Sequence, residues 1–318
     1  MLHVEPLVHW DEVEGFDVPE RLRPLGGRWQ RLGDAAGSVR VGLQRVLLAP
    51  GQMSTPPHAH SAEEEIVYVL SGSGLLWQDG KTCTVGPDDT VVHVAGGAAH
   101  TLLAGDDGLE VLVFGTRVVT ESARLPRTGV QWLADAGVTV NEAHPWQAEA
   151  ELGVPDGEPG ERPPNVVALD DVEGDYGGLW KRAGAAGGAT RTGLNWAHLP
   201  PNEEGAPPHC HSADEEVFVV LDGEGTFELW GRPEPGKPPP TEPSESHAIR
   251  RGHVISRPAG TARSHCLRTG ARSMTYLAYG TREPDDVCYY PRSNKIFWRG
   301  LGLIARLEPL EYFDGEPG

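Results

Sequence analysis

The sequence predicts an all-β protein built from two tandem units, and three observations predict it. A fifteen-residue stretch, His58-Ala-His-Ser-Ala-Glu-Glu-Glu-Ile-Val-Tyr-Val-Leu-Ser-Gly72, returns as His209-Cys-His-Ser-Ala-Asp-Glu-Glu-Val-Phe-Val-Val-Leu-Asp-Gly223. The 41 glycines and 28 prolines are scattered as punctuation between apolar segments, which favours many short strands and turns over helical bundles. The chain of 318 residues has room for two domains of about 150 residues, each able to bury its own core.

Taken in order, residues 1–27 read as a polar, proline-bearing arm with a short helical turn at Glu20-Arg-Leu-Arg and no assigned chemistry. From Trp29 the chain repeats itself at a shift of 151: Trp29 with Trp180, Arg40 with Arg191, Pro50 with Pro201, and Pro56-Pro57 with Pro207-Pro208. Within the duplicated stretch, His-x-His places two imidazoles on one side of a strand, because residues i and i+2 share a face. The β-branched runs after Glu65 and Glu216 read as strands that enter a turn at the glycine. The second unit then carries an inserted proline-rich loop at 231–243, either a passive exposed connection or a lid. Beyond it the repeat resumes at a shift of 165, matching His100 with His265, Gly115-Thr-Arg117 with Gly280-Thr-Arg282, and Pro126-Arg127 with Pro291-Arg292. These spacings divide the chain into an arm at 1–27, a first unit at 28–147, a linker rich in Glu, Gly and Pro at 148–164, and a second unit with a C-terminal extension at 165–318. The extension reads as a turn and a final strand at 303–307; the tail from Glu311 has no repeat partner.

The candidate ligands fall into two equivalent sets: His58, His60, Glu65 and His100, then His209, His211, Glu216 and His265. Imidazole with carboxylate is the donor set of a first-row divalent cation, one per unit. The carboxylate favours Fe or Mn, with Zn or Ni as alternatives. Three nitrogens and one oxygen leave two positions open on an octahedral ion, as a Lewis acid or an O₂-activating metal requires. Glu65 and Glu216 are chosen over their acidic neighbours because only they keep the same spacing to the glycine. Glu63, Glu64, Asp214 and Glu215 are accordingly expected in a hairpin turn, facing water. Strand alternation turns Cys210 and Cys266 away from the ligands, as small buried hydrophobes or as a redox-sensitive pair. The same parity points Val67, Val69, Leu102, Phe218, Val220 and Leu267 inward, giving mostly apolar pockets with no second acid or base. Arg40 and Arg191 read either as a clamp for a substrate carboxylate or as surface residues.

A formal charge of −19 argues against a nucleic-acid groove or an anionic membrane as partner. The four cysteines include no CxxC pair and read as reduced thiols. There is no secretory signal and no long apolar run, so a cytoplasmic location is expected.

His-x-His-x4-Glu-x6-Gly, followed by a glycine-containing turn and a third histidine, resembles the paired motifs of the cupin superfamily. Two copies in one chain resemble a bicupin. The resemblance covers residues 27–310 and implies two double-stranded β-helix barrels in tandem, with ligands projecting inward from neighbouring strands. Departures concern loop residues: Val94 or Ala95 stands where the family has a proline, and Ala104 and Thr269 stand where it has an asparagine. The expected function is a metal-dependent enzyme on a small-molecule substrate, a dioxygenase acting on a small organic or aromatic acid. A non-redox isomerase, decarboxylase or hydrolase, or a non-catalytic metal- and ligand-binding cupin, is the alternative. The resemblance is compatible with a monomer or a homodimer.

Overall fold

The computed structural model describes residues 6–133, 136–138, 144–232, 234, 237–308, 310 and 312–316. Pro233, Pro235 and Gly236 of the inserted loop, and Glu311 of the tail, lie outside the described residues. Two β-barrels follow one another, each made of a nine-stranded sheet and a four-stranded sheet. The duplicated stretch runs into the central strand of each large sheet, Glu65–Gln78 and Glu216–Trp230. The first is flanked by His100–Thr116 and Asp89–His93, the second by Met274–Thr281 and His253–Arg257.

Strand parity holds. Val67, Val69 and Leu102 pack inside the first barrel, and Phe218, Val220 and Leu267 inside the second. The opposite faces of the same strands are no less buried: Ile66, Tyr68, Val217 and Val219 meet Leu43, Phe114, Leu194 and Tyr279 in a core shared by both barrels. Burial on two faces explains why the run after each glutamate is continuously apolar instead of alternating.

The glycine closing each motif does not end its strand, contrary to the expected turn. The strand continues to Gln78 or Trp230, and its register slips at bulges near the glycine. Gly72 has φ +78°, and a Cβ there would lie 2.2 Å from the Gly108 carbonyl oxygen; at Gly223, φ is +75° and the corresponding distance to Ser273 O is 2.0 Å. A side chain is excluded on both counts, so the strand can bend across the barrel only through glycine.

The two halves exchange strands at their edges. Leu7–His9, in the arm, pairs with His253–Arg257 of the second barrel, while Val166–Ala168, just after the linker, pairs with Asp89–His93 of the first. Each pairing covers an edge that would otherwise present unsatisfied backbone groups. The linker begins inside a helix, Pro145–Leu152.

The acids expected to face water do not. Glu64 and Glu215 are 1% and 0% exposed. Glu64 accepts hydrogen bonds from the backbone of Thr190, Arg191 and Thr192 and from Thr192 Oγ1, all in the second barrel. Glu215 reciprocates, accepting from the backbone of Val39 (2.7 Å) and Arg40 (2.6 Å) in the first. Asp214 is also buried and accepts from Glu283 N at 2.7 Å, and Glu63 accepts from Val118 N at 2.9 Å. The stretch before each ligand strand lies against the neighbouring barrel, so Glu64 and Glu215 cap backbone amides there, while Glu63 and Asp214 cap amides of their own barrel. Arg40 and Arg191 belong to the same clasp, donating to Ala213 O (2.8 Å) and Ala62 O (2.7 Å), and neither serves as a clamp inside a pocket.

Candidate metal centres

Each centre is assembled from three segments. The short strands Ala59–His60 and Cys210–His211 carry the second histidine of each His-x-His pair, the first being the bridge residue His58 or His209 before the strand; the long strands begin at Glu65 and Glu216, and the third histidine opens His100–Thr116 or His265–Arg268. Reciprocal backbone hydrogen bonds hold the first and third histidines together: 3.1 and 2.9 Å for His58 with His100, 3.1 and 2.8 Å for His209 with His265. All eight residues named from sequence come together as two clusters.

In the first barrel, His58 Nε2 lies 3.1 Å from His60 Nε2, His100 Nε2 lies 3.2 Å from Glu65 Oε1, and His60 Nε2 lies 3.7 Å from Glu65 Oε2. In the second, Glu216 Oε2 is the focus, at 3.7, 3.5 and 3.1 Å from Nε2 of His209, His211 and His265. The opposite ring nitrogens fix the tautomers. His58 Nδ1 donates to Pro56 O (2.9 Å), His209 Nδ1 to Pro207 O (2.8 Å) and His100 Nδ1 to Ala98 O (3.2 Å), which leaves each Nε2 lone pair directed inward. Glu216 Oε2 and both nitrogens of His265 are buried without a hydrogen-bond partner. Orphaned polar atoms of this kind are costly in a protein interior unless something ligates them. Donor chemistry, inward lone pairs and orphaned atoms together fit a divalent cation.

Two residues missed in the sequence hold the second histidine of each pair. His60 Nδ1 donates to Glu121 Oε1 at 3.2 Å, and His211 Nδ1 to Asp286 Oδ2 at 2.7 Å. Glu121 also accepts from the backbone of Ser61, Ala62 and Glu63, and Asp286 from Ala213 and Asp214. Burial would raise the Glu121 carboxyl, but these amides outweigh it and hold the group below its usual range. The two acids stand at the shift of 165 that aligns the third histidines, so the repeat contains the signal that finds them. Carboxylates behind metal-bound histidines raise ligand basicity and lock the ring. Glu121→Ala and Asp286→Ala should therefore each weaken Mn(II) binding to their own barrel at least tenfold, measured by competition against a chelator. Equal affinities would show that the carboxylates only brace the loop.

The charges within each centre follow from burial and pairing. Burial and the neighbouring histidines lower His58 to about 3, and burial with His209 lowers His265 to about 3. Burial opposes protonation of His60 and His211 too, but Glu65 with Glu121, and Glu216 with Asp286, outweigh it and raise both to about 9. Burial would raise Glu65 and Glu216, yet the surrounding histidines drive both well below the usual carboxylate range.

The barrels differ beyond the ligands. A cavity of about 140 Å³ lies against His58, Glu65 and His100, lined also by Ser54, Thr55 and His93. His93 corrects the expectation of a pocket without a further acid or base. Its ring stacks on His100 at 3.4 Å between centroids and 4° between planes. Across the strand pair His93 faces Glu65, whereas Glu216 faces Arg257. The turn before the third histidine is one residue longer in the second unit, which hides this correspondence in the sequence. A further asymmetry is Cys288, whose sulfur clusters with the nitrogens of His209 and His211; the first barrel has Ala123 opposite His60. Cys210 and Cys266 are free and buried, as parity requires.

The fold and the two clusters define a double-barrel protein of the cupin type. Residues 44–115 match the cupin domain family. The chain is similar to the oxalate decarboxylase of Lactobacillus farciminis in its formate complex, at 13% identity and TM-score 0.57, covering 87% of this chain and 86% of that one. A variant of the Bacillus subtilis oxalate decarboxylase gives 15% identity and TM-score 0.58 over 88% and 78%. Vicilin from hazelnut, Corylus avellana, gives 15% and 0.56 over 90% and 88%. No curated protein matches the sequence significantly. The structural likenesses give the chain the bicupin fold, two cupin-like barrels in tandem. Among the described residues, no helix is long and apolar enough to cross a membrane.

Proposed function

We propose that the chain is a metal-dependent enzyme that binds one divalent ion in each barrel, through His58, His60, Glu65 and His100 and through His209, His211, Glu216 and His265, and acts on a small organic acid. The observation carrying this is the duplicated cluster with its orphaned buried ligand atoms and a second carboxylate behind each centre. A purely structural barrel needs none of these. A bound Fe(II) or Mn(II) would supply Lewis acidity and, in a dioxygenase, a site for O₂. The chain's own contribution is to hold three imidazoles and a carboxylate in place, with one histidine of each centre giving up its proton as the ion binds, and to present the acid with a cavity that is mostly apolar in surface.

Dioxygenase chemistry fits the open positions of a three-histidine, one-carboxylate centre. Decarboxylation is the second reading, favoured by the likeness to oxalate decarboxylases, of which the Bacillus subtilis enzyme has Mn(II) centres. Protein purified without oxygen and loaded with Fe(II) or Mn(II), screened against small mono- and dicarboxylic acids, should consume oxygen or release carbon dioxide. The former product balance establishes a dioxygenase and the latter, without net oxygen uptake, a decarboxylase. Loaded protein inert across the panel in both assays would leave a metal-binding module and overturn the enzymatic proposal.

A further inference from the structure

The donors of the two centres gather differently. In the first barrel the ligand atoms of His58, His60, Glu65 and His100 form one group, all within 4.8 Å of one another. In the second they fall into two triads that share His209: His209 with Glu216 and His265, and His209 with His211 and Cys288, each within the same 4.8 Å. The second cluster therefore includes a sulfur. It is also the cluster with orphaned donors, since Glu216 Oε2 and both nitrogens of His265, a residue 2% exposed, have no hydrogen-bond partner.

The strand Val287–Tyr290 places that sulfur. It pairs with Cys210–His211 so that Cys288 sits directly opposite His211. Side chains two residues apart share a face, and Tyr290, on the face of Cys288, lies over the His209 ring at 5.9 Å between centroids and 30° between planes. Tyr289 is on the other face, its hydroxyl donating to Asn294 Oδ1 at 3.3 Å. Cys288 is a free thiol and 3% exposed. Two residues before it, Asp286 accepts from His211 Nδ1, so one short segment braces the ring from behind and sets a sulfur beside the histidine pair. At the shift of 165, Glu121 and Ala123 stand where Asp286 and Cys288 stand. The carboxylate is common to both copies, and an alanine satisfies the fold where the second copy has its thiol.

We propose that Cys288 is a ligand of the second centre, and that this barrel takes a thiophilic divalent cation, Zn(II) in preference to Mn(II). The inference rests on the proposed second metal centre, to which it adds a sulfur and a class of metal. Thiolate and imidazole suit Zn(II), whereas Mn(II) belongs with oxygen donors. As the metal–sulfur bond forms, the S–H bond breaks and its proton passes to solvent. Mn(II) offered alone has little call on sulfur and leaves the thiol protonated. Zn(II) has no redox chemistry, which confines the second centre to Lewis-acid or structural work.

Cobalt(II) reports sulfur ligation directly, because a thiolate bound to it gives a near-ultraviolet charge-transfer absorption that imidazole and carboxylate ligands do not. Full-length protein freed of metal is loaded with Co(II), and bound ions are counted on every variant. Wild type and His58→Ala should show the band, and His209→Ala should lose it. Cys288→Ala, which copies Ala123, and the closer Cys288→Ser should lose it while still binding cobalt, whereas Cys210→Ser and Cys266→Ser should keep it. In the His58→Ala background, Cys288→Ala should weaken Zn(II) binding about tenfold or more, as loss of a direct ligand should weigh at least as much as loss of a carboxylate behind one, and leave Mn(II) binding unchanged. A wild type that binds two cobalt ions without the band, a band that survives both Cys288 substitutions, or equal losses of Zn(II) and Mn(II) affinity would overturn the inference and leave the metal centres standing. Failure of His58→Ala to bind any ion would remove the second centre itself, and the inference with it.

Discussion

Replacing Glu64 or Glu215 by alanine should lower the unfolding free energy by about 3–5 kcal/mol, the range for removing one partner from a buried charged network. Each carboxylate is almost completely enclosed and accepts several hydrogen bonds from the opposite barrel. Truncation strands those amides, together with Thr192 Oγ1 in the case of Glu64, in an interior from which water is excluded, and each orphan costs about 1–3 kcal/mol. The two sites stitch one interface, so the double variant should lose less than the sum of the singles once the barrels separate. Urea denaturation followed by tryptophan fluorescence measures this. Destabilisation within about 0.5 kcal/mol, the range of ordinary surface substitutions, would mean that the shared apolar core alone holds the barrels together. Glu63→Ala, which removes a single amide contact from a half-buried group, should cost far less.

Apparent metal affinity should rise about a hundredfold between pH 7 and pH 9 and level off above that, since one proton per centre must leave. The sign follows from the histidines. His58 and His265, lowered to about 3, are already neutral at pH 7, and Glu65 and Glu216 are ionised. His60 and His211, raised to about 9, hold protons that pair with the glutamates until a cation displaces them. Below pH 9 each unit of falling pH therefore costs about tenfold in affinity. Calorimetry at pH 7 in buffers of different ionisation enthalpy should report about one proton released per ion bound. Affinity independent of pH over this interval would show that the paired charges do not compete with the metal.

Much of the site was legible in the sequence because ligand chemistry leaves short, repeated spacing. His-x-His fixes two rings on one face, and the copy 151 residues later made Glu65 and Glu216 the consistent choice. The inward set from Val67 to Leu267 followed from parity alone. What escaped was set by tertiary contact. Glu64 and Glu215 look like the acids of an exposed turn, and only a second barrel packed against that turn makes them buried caps. Residues 7–9 carry no strand signature of their own and pair because an edge of the distant second barrel is open to them. Glu121 and Asp286 lie more than fifty residues from the histidines they orient, although the repeat aligns them. His93 was concealed by a one-residue difference in turn length and by its replacement with Arg257.

The central claim is that two equivalent clusters each hold one ion, and metal counting on protein purified without oxygen addresses it most directly. The account predicts two ions per wild-type chain, one each in His58→Ala and His209→Ala, and none in the double variant. Fewer than one ion per wild-type chain, or a count that survives both substitutions, would contradict it.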